Sequence, residues 1–256
     1  MKLLEAVSTS GAAAIVFAGG DPSIRPDIVW LIKHACVLGL HVEVQTNAHH
    51  VTTDFLKALE TVDLVGLSLD GSDASIHDNF RGKPGNFVRV VSLLRMLNER
   101  NVPVVVRSIM AKSNFEAIPR IAPLLEGMPT VVRLCLLEFS TIGEGFLNRE
   151  IYELERSVFD RVADDIRRAF AGPAQIDIYR AEAKIGTYVL ITPNGYVYGT
   201  TESTVNGVFP TIGSICQEHL SVLAEKLPFS SENHIQRYQD AFVKVPYILK
   251  NDTMSQ

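Results

Sequence analysis

Residues able to bind a ligand recur where apolar runs of this chain stop. Gly19-Gly20-Asp21-Pro22 follows "AAIVFA", Thr46-Asn47 closes "HVEVQT", and Ser68 and Asp70 close "LVGLSLD". Arg107 and Ser108 lie in "VPVVVRSIM" with Asn114 beyond, and Glu138 lies near the end of "VVRLCLLEF". Two glycines let a ligand approach the backbone closely, and a carboxylate beside them can accept from an ammonium group. Ser68 and Asp70 are two apart, so on a strand they share a face and reach one ligand, for instance a ribose. Arg107 suits a carboxylate. Each site alone reads as turn chemistry; five in succession read as one ligand-binding rim.

The elements that must position these residues follow from the hydrophobic period. Strands are predicted at Ala13–Ala18, His41–Thr46, Leu64–Asp70, Val102–Met110 and Val131–Phe139. Helical patterns separate them: "PDIVWLIKHACVLG" ending in Gly39, "TTDFLKALETV", "FVRVVSLLRMLNERN", and the proline-bearing "NFEAIPRIAPLLEG" with Asn114 as its cap. Near-continuous apolar strands alternating with helices predict an α/β fold, a parallel sheet buried on both faces. Ligands then bind beyond the C-terminal strand ends. After residue 140 the pattern changes to a loop, a long charged helix from "IYELERSVFDRVADDIRRAFAG" and a hairpin "TYVLITPNGYVYGTT" turning at Pro193-Asn194-Gly195. The expected organisation is a core over 1–140 and an extension over 141–256 packed on it.

The net charge of −5 comes without a basic block, which speaks against nucleic acid or an anionic membrane as partner. No apolar stretch approaches the ~20 residues a membrane span needs. Cys36, Cys135 and Cys216 are odd in number and far apart, neither a disulfide framework nor a zinc motif. That usage suits a reducing compartment, so a cytoplasmic location is expected.

"VFAGGDPSIRPDI", "VQTNA" and "VGLSLDGSDASIHDNFRG", in this order and spacing, resemble the core of the radical S-adenosylmethionine (SAM) superfamily. Its members carry GGEP-type, TNG-type and SLDG-type strand ends and often an "hD..Rg" loop, matched here by His77-Asp78 and Arg81-Gly82. The resemblance implies a TIM-type partial barrel that binds SAM. Gly19, Gly20 and Asp21 would hold the methionine amino end, and Pro22, Thr46 and Asn47 are further cofactor-binding candidates. Ser68 and Asp70 would face the ribose or carboxylate, with Arg107 and Asn114 on the same rim. Asp21 stands where Glu is usual and Ala48 where Gly is usual. Glu138 and His77 are candidates for substrate contact; for His77 and Asp78 an acid–base pair competes with a loop contact or a helix start, and Arg81 is expected to pair with Asp78.

The family's chemistry needs a CxxxCxxC loop whose thiolates bind a [4Fe–4S] cluster, and this sequence has none. The GGDP turn comes so early that the first β-α unit of the family pattern is expected to be missing. Three explanations stand: the cysteines are encoded upstream, the protein is a cluster-less relative, or another chain supplies the unit. No metal ligands are assigned, and the cluster is expected only with an upstream segment. In complete form the chain would cleave SAM reductively and abstract hydrogen from an unknown small-molecule or peptide substrate. The alternative is a non-catalytic binding protein. An exposed first-strand edge would need a cover, from self-association or a partner.

Overall fold

The computed structural model describes residues 2–141, 144–181, 189–199 and 211–227. The chain forms two compact units, Met1–Ala181 and Glu182–Gln256. The parallel sheet therefore continues past residue 140, and the first unit closes about forty residues later than expected. The reason is a sixth strand whose alternating polar residues mask its character.

In the first unit, α1 (Lys2–Thr9) leads to β1 (Ala14–Phe17), α2 (Ile28–Val37), β2 (His41–Thr46), α3 (Thr53–Leu59) and β3 (Leu64–Ser68). Then come α4 (Ala74–Arg81), α5 (Asn86–Glu99), β4 (Val104–Met110), α6 (Ala122–Leu125) and β5 (Val131–Glu138). The short helices α7 (Glu144–Leu147) and α8 (Arg149–Tyr152) precede α9 (Arg156–Ala169) and β6 (Gln175–Tyr179). The expected long helix thus breaks into α8 and α9, and the proline-bearing helix becomes a 3-10 turn, Ile118–Ile121, followed by α6. Proline lacks the N–H that a longer helix would need.

The six strands lie in sequence order, each parallel to the next. This is a TIM-type partial barrel. Among the described residues β1 and β6 are its two edges. Register sorts the side chains into two faces. Val42, Val44, Val65, Leu67, Val106, Leu134 and Leu136 are buried on the outer one, where α2 packs against β2 and α5 against β3. The inner face carries Glu43, Gln45, Gly66, Arg107, Cys135 and Asp177. A bulge between Val104 and Val105 resets the alternation, so that Arg133 stands beside Val105 and Cys135 beside Arg107.

In the second unit, β7 (Val189–Ile191) and β8 (Tyr196–Gly199) form the expected antiparallel hairpin, and β9 (Thr211–Ser214) adds to β8. The turn is closed by Gly195, at φ +86°, whose N–H donates to the Thr192 carbonyl at 2.9 Å. Helix α10 (Leu220–Glu225) follows β9. Among the described residues no helix is long and apolar enough to cross a membrane.

Candidate functional site

The β1–β2 rim is joined by Asp21, which is buried at the start of the 3-10 turn Pro22–Ile24. Its Oδ1 accepts from the Ser23 N–H at 3.0 Å and the Thr46 hydroxyl at 2.8 Å; Oδ2 accepts from the His49 N–H at 3.1 Å. Thr46 Oγ1 accepts from the Ala48 N–H at 3.1 Å. Gly19 and Gly20 are exposed, Gly19 at φ +120°, and nothing lies within 4 Å of where a Cβ would sit on either. Asn47 Nδ2 donates to the Gly20 carbonyl at 3.4 Å, while its Oδ1 is buried without a hydrogen-bond partner. A buried orphan acceptor beside bare glycine backbone is a cradle for a donor-rich group, such as an ammonium. Ala48 holds a left-handed φ of +57°, which explains why glycine suits that position.

The β3–β4 rim is built on Asp70, 0% exposed. Its carboxylate pairs with Arg81 and accepts from the Ile109 N–H at 2.7 Å. Its own N–H donates to His77 Nδ1 at 3.0 Å, so in the neutral ring Nε2 carries the proton and donates to Asn86 Oδ1 at 2.9 Å. Asn86 Nδ2 passes the chain on to the Asn47 carbonyl at 2.7 Å. Asn114 Nδ2 donates to the Asp70 and Ile109 carbonyls at 2.9 and 2.8 Å, and its Oδ1 accepts from the Ala111 N–H at 2.8 Å. Gly71 is required because a Cβ there would stand 2.5 Å from the His77 nitrogen.

This geometry corrects five expectations. Arg81 pairs with Asp70, not with Asp78; Asp78 instead accepts from the Gly85 and Phe87 N–H groups at 2.6 and 2.7 Å, at the start of α5. Asn114 does not cap a long helix but stitches two strand ends together. Ser68 and Asp70 do not present a shared face, because β3 ends at Ser68 and the chain turns Asp70 inward while Ser68 stays half-buried. His77 is fully buried, with both ring nitrogens engaged, so no nitrogen is left for a substrate. Glu138 aligns with Leu134 and Leu136 on the outer face, accepts from the Ala181 N–H at 2.8 Å and lies 3.7 Å from Arg156.

Beneath the rim, the inner face carries a belt of charged pairs that the sequence reading passed over. Arg107 Nη2 donates to Glu43 Oε1 at 2.6 Å, and Gln45 Nε2 donates to the same oxygen at 3.1 Å. Arg133 pairs with Asp177, and its Nη2 lies 3.4 Å from the Tyr179 hydroxyl. Burial raises the Asp177 carboxyl above its ordinary range, against the pull of Arg133. Cys135 Sγ stands 3.7 Å from Asp177, and burial pushes its thiol up to about 12. The available signal was alternation: "HVEVQT" and "QIDIY" each place a polar residue at every second position.

The family model of the Radical SAM superfamily matches residues 1–122. This part of the chain belongs to that superfamily. An AdoMet-dependent heme synthase from Methanosarcina barkeri is 29% identical over 130 residues, which are 50% of this chain and 37% of the relative. The Fe-coproporphyrin III synthase of the same organism is 30% identical over 171 residues, 65% of this chain and 42% of the relative. The chain thus spans well under half the length of these curated relatives. Among solved structures, SuiB of Streptococcus suis bound to S-adenosylmethionine aligns over 94% of this chain and 60% of SuiB, with a TM-score of 0.67 at 15% identity. SuiB bound to its precursor peptide SuiA aligns over 91% of this chain and 57% of SuiB, with a TM-score of 0.70 at 16% identity.

Radical SAM proteins work with SAM and a [4Fe–4S] cluster, and the two fare differently here. The orphaned Asn47 acceptor and open Gly19-Gly20 backbone fit the ammonium end of SAM. The residues present do not fit the cluster. Cys36 sits in α2, Cys135 is buried on β5 with a raised pKa, and Cys216 belongs to the second unit. Among the described residues no three His, Cys, Asp or Glu are grouped to hold a metal ion.

Proposed function

We propose that this radical SAM barrel binds S-adenosylmethionine across its β1–β4 rim and serves a radical enzyme whose cluster ligands lie outside this sequence. The observation that carries the reading is Asn47 Oδ1, buried and unpartnered beside the exposed Gly20 backbone. Asn47 and the Gly19-Gly20 carbonyls receive the ammonium; Ser68 and Arg107, neighbours in register on β3 and β4, face the ribose and the carboxylate. Asp21, Pro22, Thr46, Asp70 and Asn114 support the cradle from behind. When bound and reduced, SAM supplies hydrogen-abstracting chemistry. The inner belt suits a polar substrate, a peptide or a small metabolite, and the structural neighbour SuiB is seen with a peptide. β1 is hydrogen-bonded on one side among the described residues, so a strand from a further segment, a partner or a second copy can add there.

The test is equilibrium dialysis of SAM against the chain, with iron content and intact mass of the protein taken from its own cells. Saturable binding, weakened at least tenfold by Asn47→Ala, is expected, together with iron and either a mass above 28.2 kDa or a co-purifying chain. No saturable binding up to about 1 mM, a standard free energy near −4 kcal/mol, would overturn the reading. A second reading, a non-catalytic SAM-binding protein, is favoured by the dispersal of the three cysteines. SAM binding without iron in the native protein would select it.

A further inference from the structure

Arg107 does not extend straight outward from its place on β4. It stands beside Ser68 in the β3–β4 register, whereas its partner Glu43 stands beside Leu64, four residues back along β3. The side chain therefore runs diagonally across β3 to reach β2. It crosses at Gly66, where a Cβ would overlap Arg107 Nη1 and would lie 3.0 Å from Gln45 Cγ and 3.1 Å from Glu43 Oε1. No residue other than glycine leaves room for that path. Glu43 is 2% exposed, while the Arg107 side chain is 23% exposed. A carboxylate so buried holds its guanidinium tightly, because separation would strand a desolvated charge. Gln45 steadies the same oxygen. A guanidinium carries five N–H donors in a fixed plane, so engagement at one edge sets the direction of the others without exhausting them.

We propose that Glu43 is a positioning residue for Arg107, and that Gly66 is the gap that lets the pair form. Glu43 fixes the guanidinium plane from the buried side, and its partly exposed side receives a ligand carboxylate. This rests on the SAM-binding reading, which makes the carboxylate that of the cofactor's methionine end. Glu43 itself touches no ligand.

Two measurements separate the inference from that reading. The first is the rate of phenylglyoxal modification at Arg107, followed by peptide mass spectrometry. Glu43→Gln keeps the shape and removes the charge; it should raise that rate several-fold, and Gly66→Ala should do the same by displacing the side chain. An unchanged rate in both variants overturns the inference, whatever the chain binds. The second is calorimetric binding of S-adenosylhomocysteine and of 5′-methylthioadenosine, which lacks the amino-acid end. Glu43→Gln should weaken the first about tenfold and leave the second unchanged. It should add nothing further in an Arg107→Gln background. Equal shifts for both nucleosides, or additive effects, would mean that Glu43 acts only on stability, and overturn the positioning role. If the unaltered chain binds both nucleosides alike, the carboxylate contact is overturned, while the Arg107 rate still decides whether Glu43 holds it. Melting curves confirm that each variant is folded, and Gly66→Ala replaces Glu43→Gln should the latter not fold.

Discussion

The rim of β1–β4 and the belt on the inner face are both polar and both largely buried, yet they are bonded in different ways. On the rim, side chains mostly hold backbone. Asp21 takes two N–H groups, Asp70 takes one, Asn114 takes one N–H and two carbonyls, and the Ser108 hydroxyl donates to the Leu69 carbonyl at 2.5 Å. In the belt, side chains hold one another: Glu43 with Arg107 and Gln45, Asp177 with Arg133. A side chain that satisfies buried backbone cannot change partners without stranding that backbone. A side chain paired with another can share its partner with a ligand. The rim is therefore chiefly a frame, and the belt is where charge can be offered to a bound molecule.

The largest effect should come from breaking the frame. Asp70→Ala removes the partner of Arg81 and the acceptor of the Ile109 N–H; the carboxylate has no solvent access, while the Arg81 side chain is 26% exposed. A loss of about 3–5 kcal/mol in urea-unfolding stability is expected, the range for severing a buried ion pair. A loss below about 1 kcal/mol, the worth of an ordinary surface pair, would show that Asp70 is not structural.

His77→Phe comes next. It fills similar space but leaves the Asp70 N–H and the Asn86 Oδ1 without their partners, and two such groups predict a loss of about 2–4 kcal/mol. If His77 instead served a ligand, the stability would hardly move. The ring is expected as the Nε2–H tautomer, readable from its ¹⁵N shifts.

These residues show what was legible in the chain and what was not. The order of strands and helices followed from apolar period, and the motif at His77-Asp78 and Arg81-Gly82 was visible as a motif. Its meaning was not, because Arg81 could reach Asp78 at helical spacing, and only the turn after Ser68 brings Asp70 into its path. Gly82 ends α4 in a left-handed conformation at φ +60°, and Asp78 opens α5, so the four motif residues serve four different tasks, three on backbone and one, at Arg81, on the Asp70 carboxylate. Strand β6 escaped notice because Gln175 and Asp177 interrupt its apolar residues, the same alternation that sends them to the inner face. The Glu43–Arg107 pair spans sixty-four positions of sequence, and nothing local announces it.

A smaller effect tests the belt. Burial keeps the Cys135 thiol protonated at neutral pH, with its pKa pushed up to about 12, whereas Cys216 is exposed. Thiolate is the reactive form. Iodoacetamide at pH 8 should therefore label Cys216 readily and leave Cys135 unlabelled until the protein is unfolded. Labelling of Cys135 at a rate near that of Cys216 would mean that the inner face beside Asp177 opens to solvent.

The smallest effect returns to the frame, at Ala48. A buried alanine replaced by glycine ordinarily loses a methyl contact worth about 0.8 kcal/mol and adds unfolded-state freedom worth about another 0.5–1 kcal/mol. Ala58, buried inside α3, should show that full loss. Ala48 is as buried, but its backbone is held left-handed, a strain of about 1–2 kcal/mol that glycine would relieve. The two terms nearly cancel, so Ala48→Gly should be close to neutral while Ala58→Gly is clearly destabilising. Equal losses at the two positions would mean that the turn after Thr46 relaxes away from the left-handed conformation. The Thr46 hydroxyl and the Asn47 carbonyl would then no longer be fixed by Asp21 and Asn86, and the cradle at Gly19-Gly20 would lose its rigid wall.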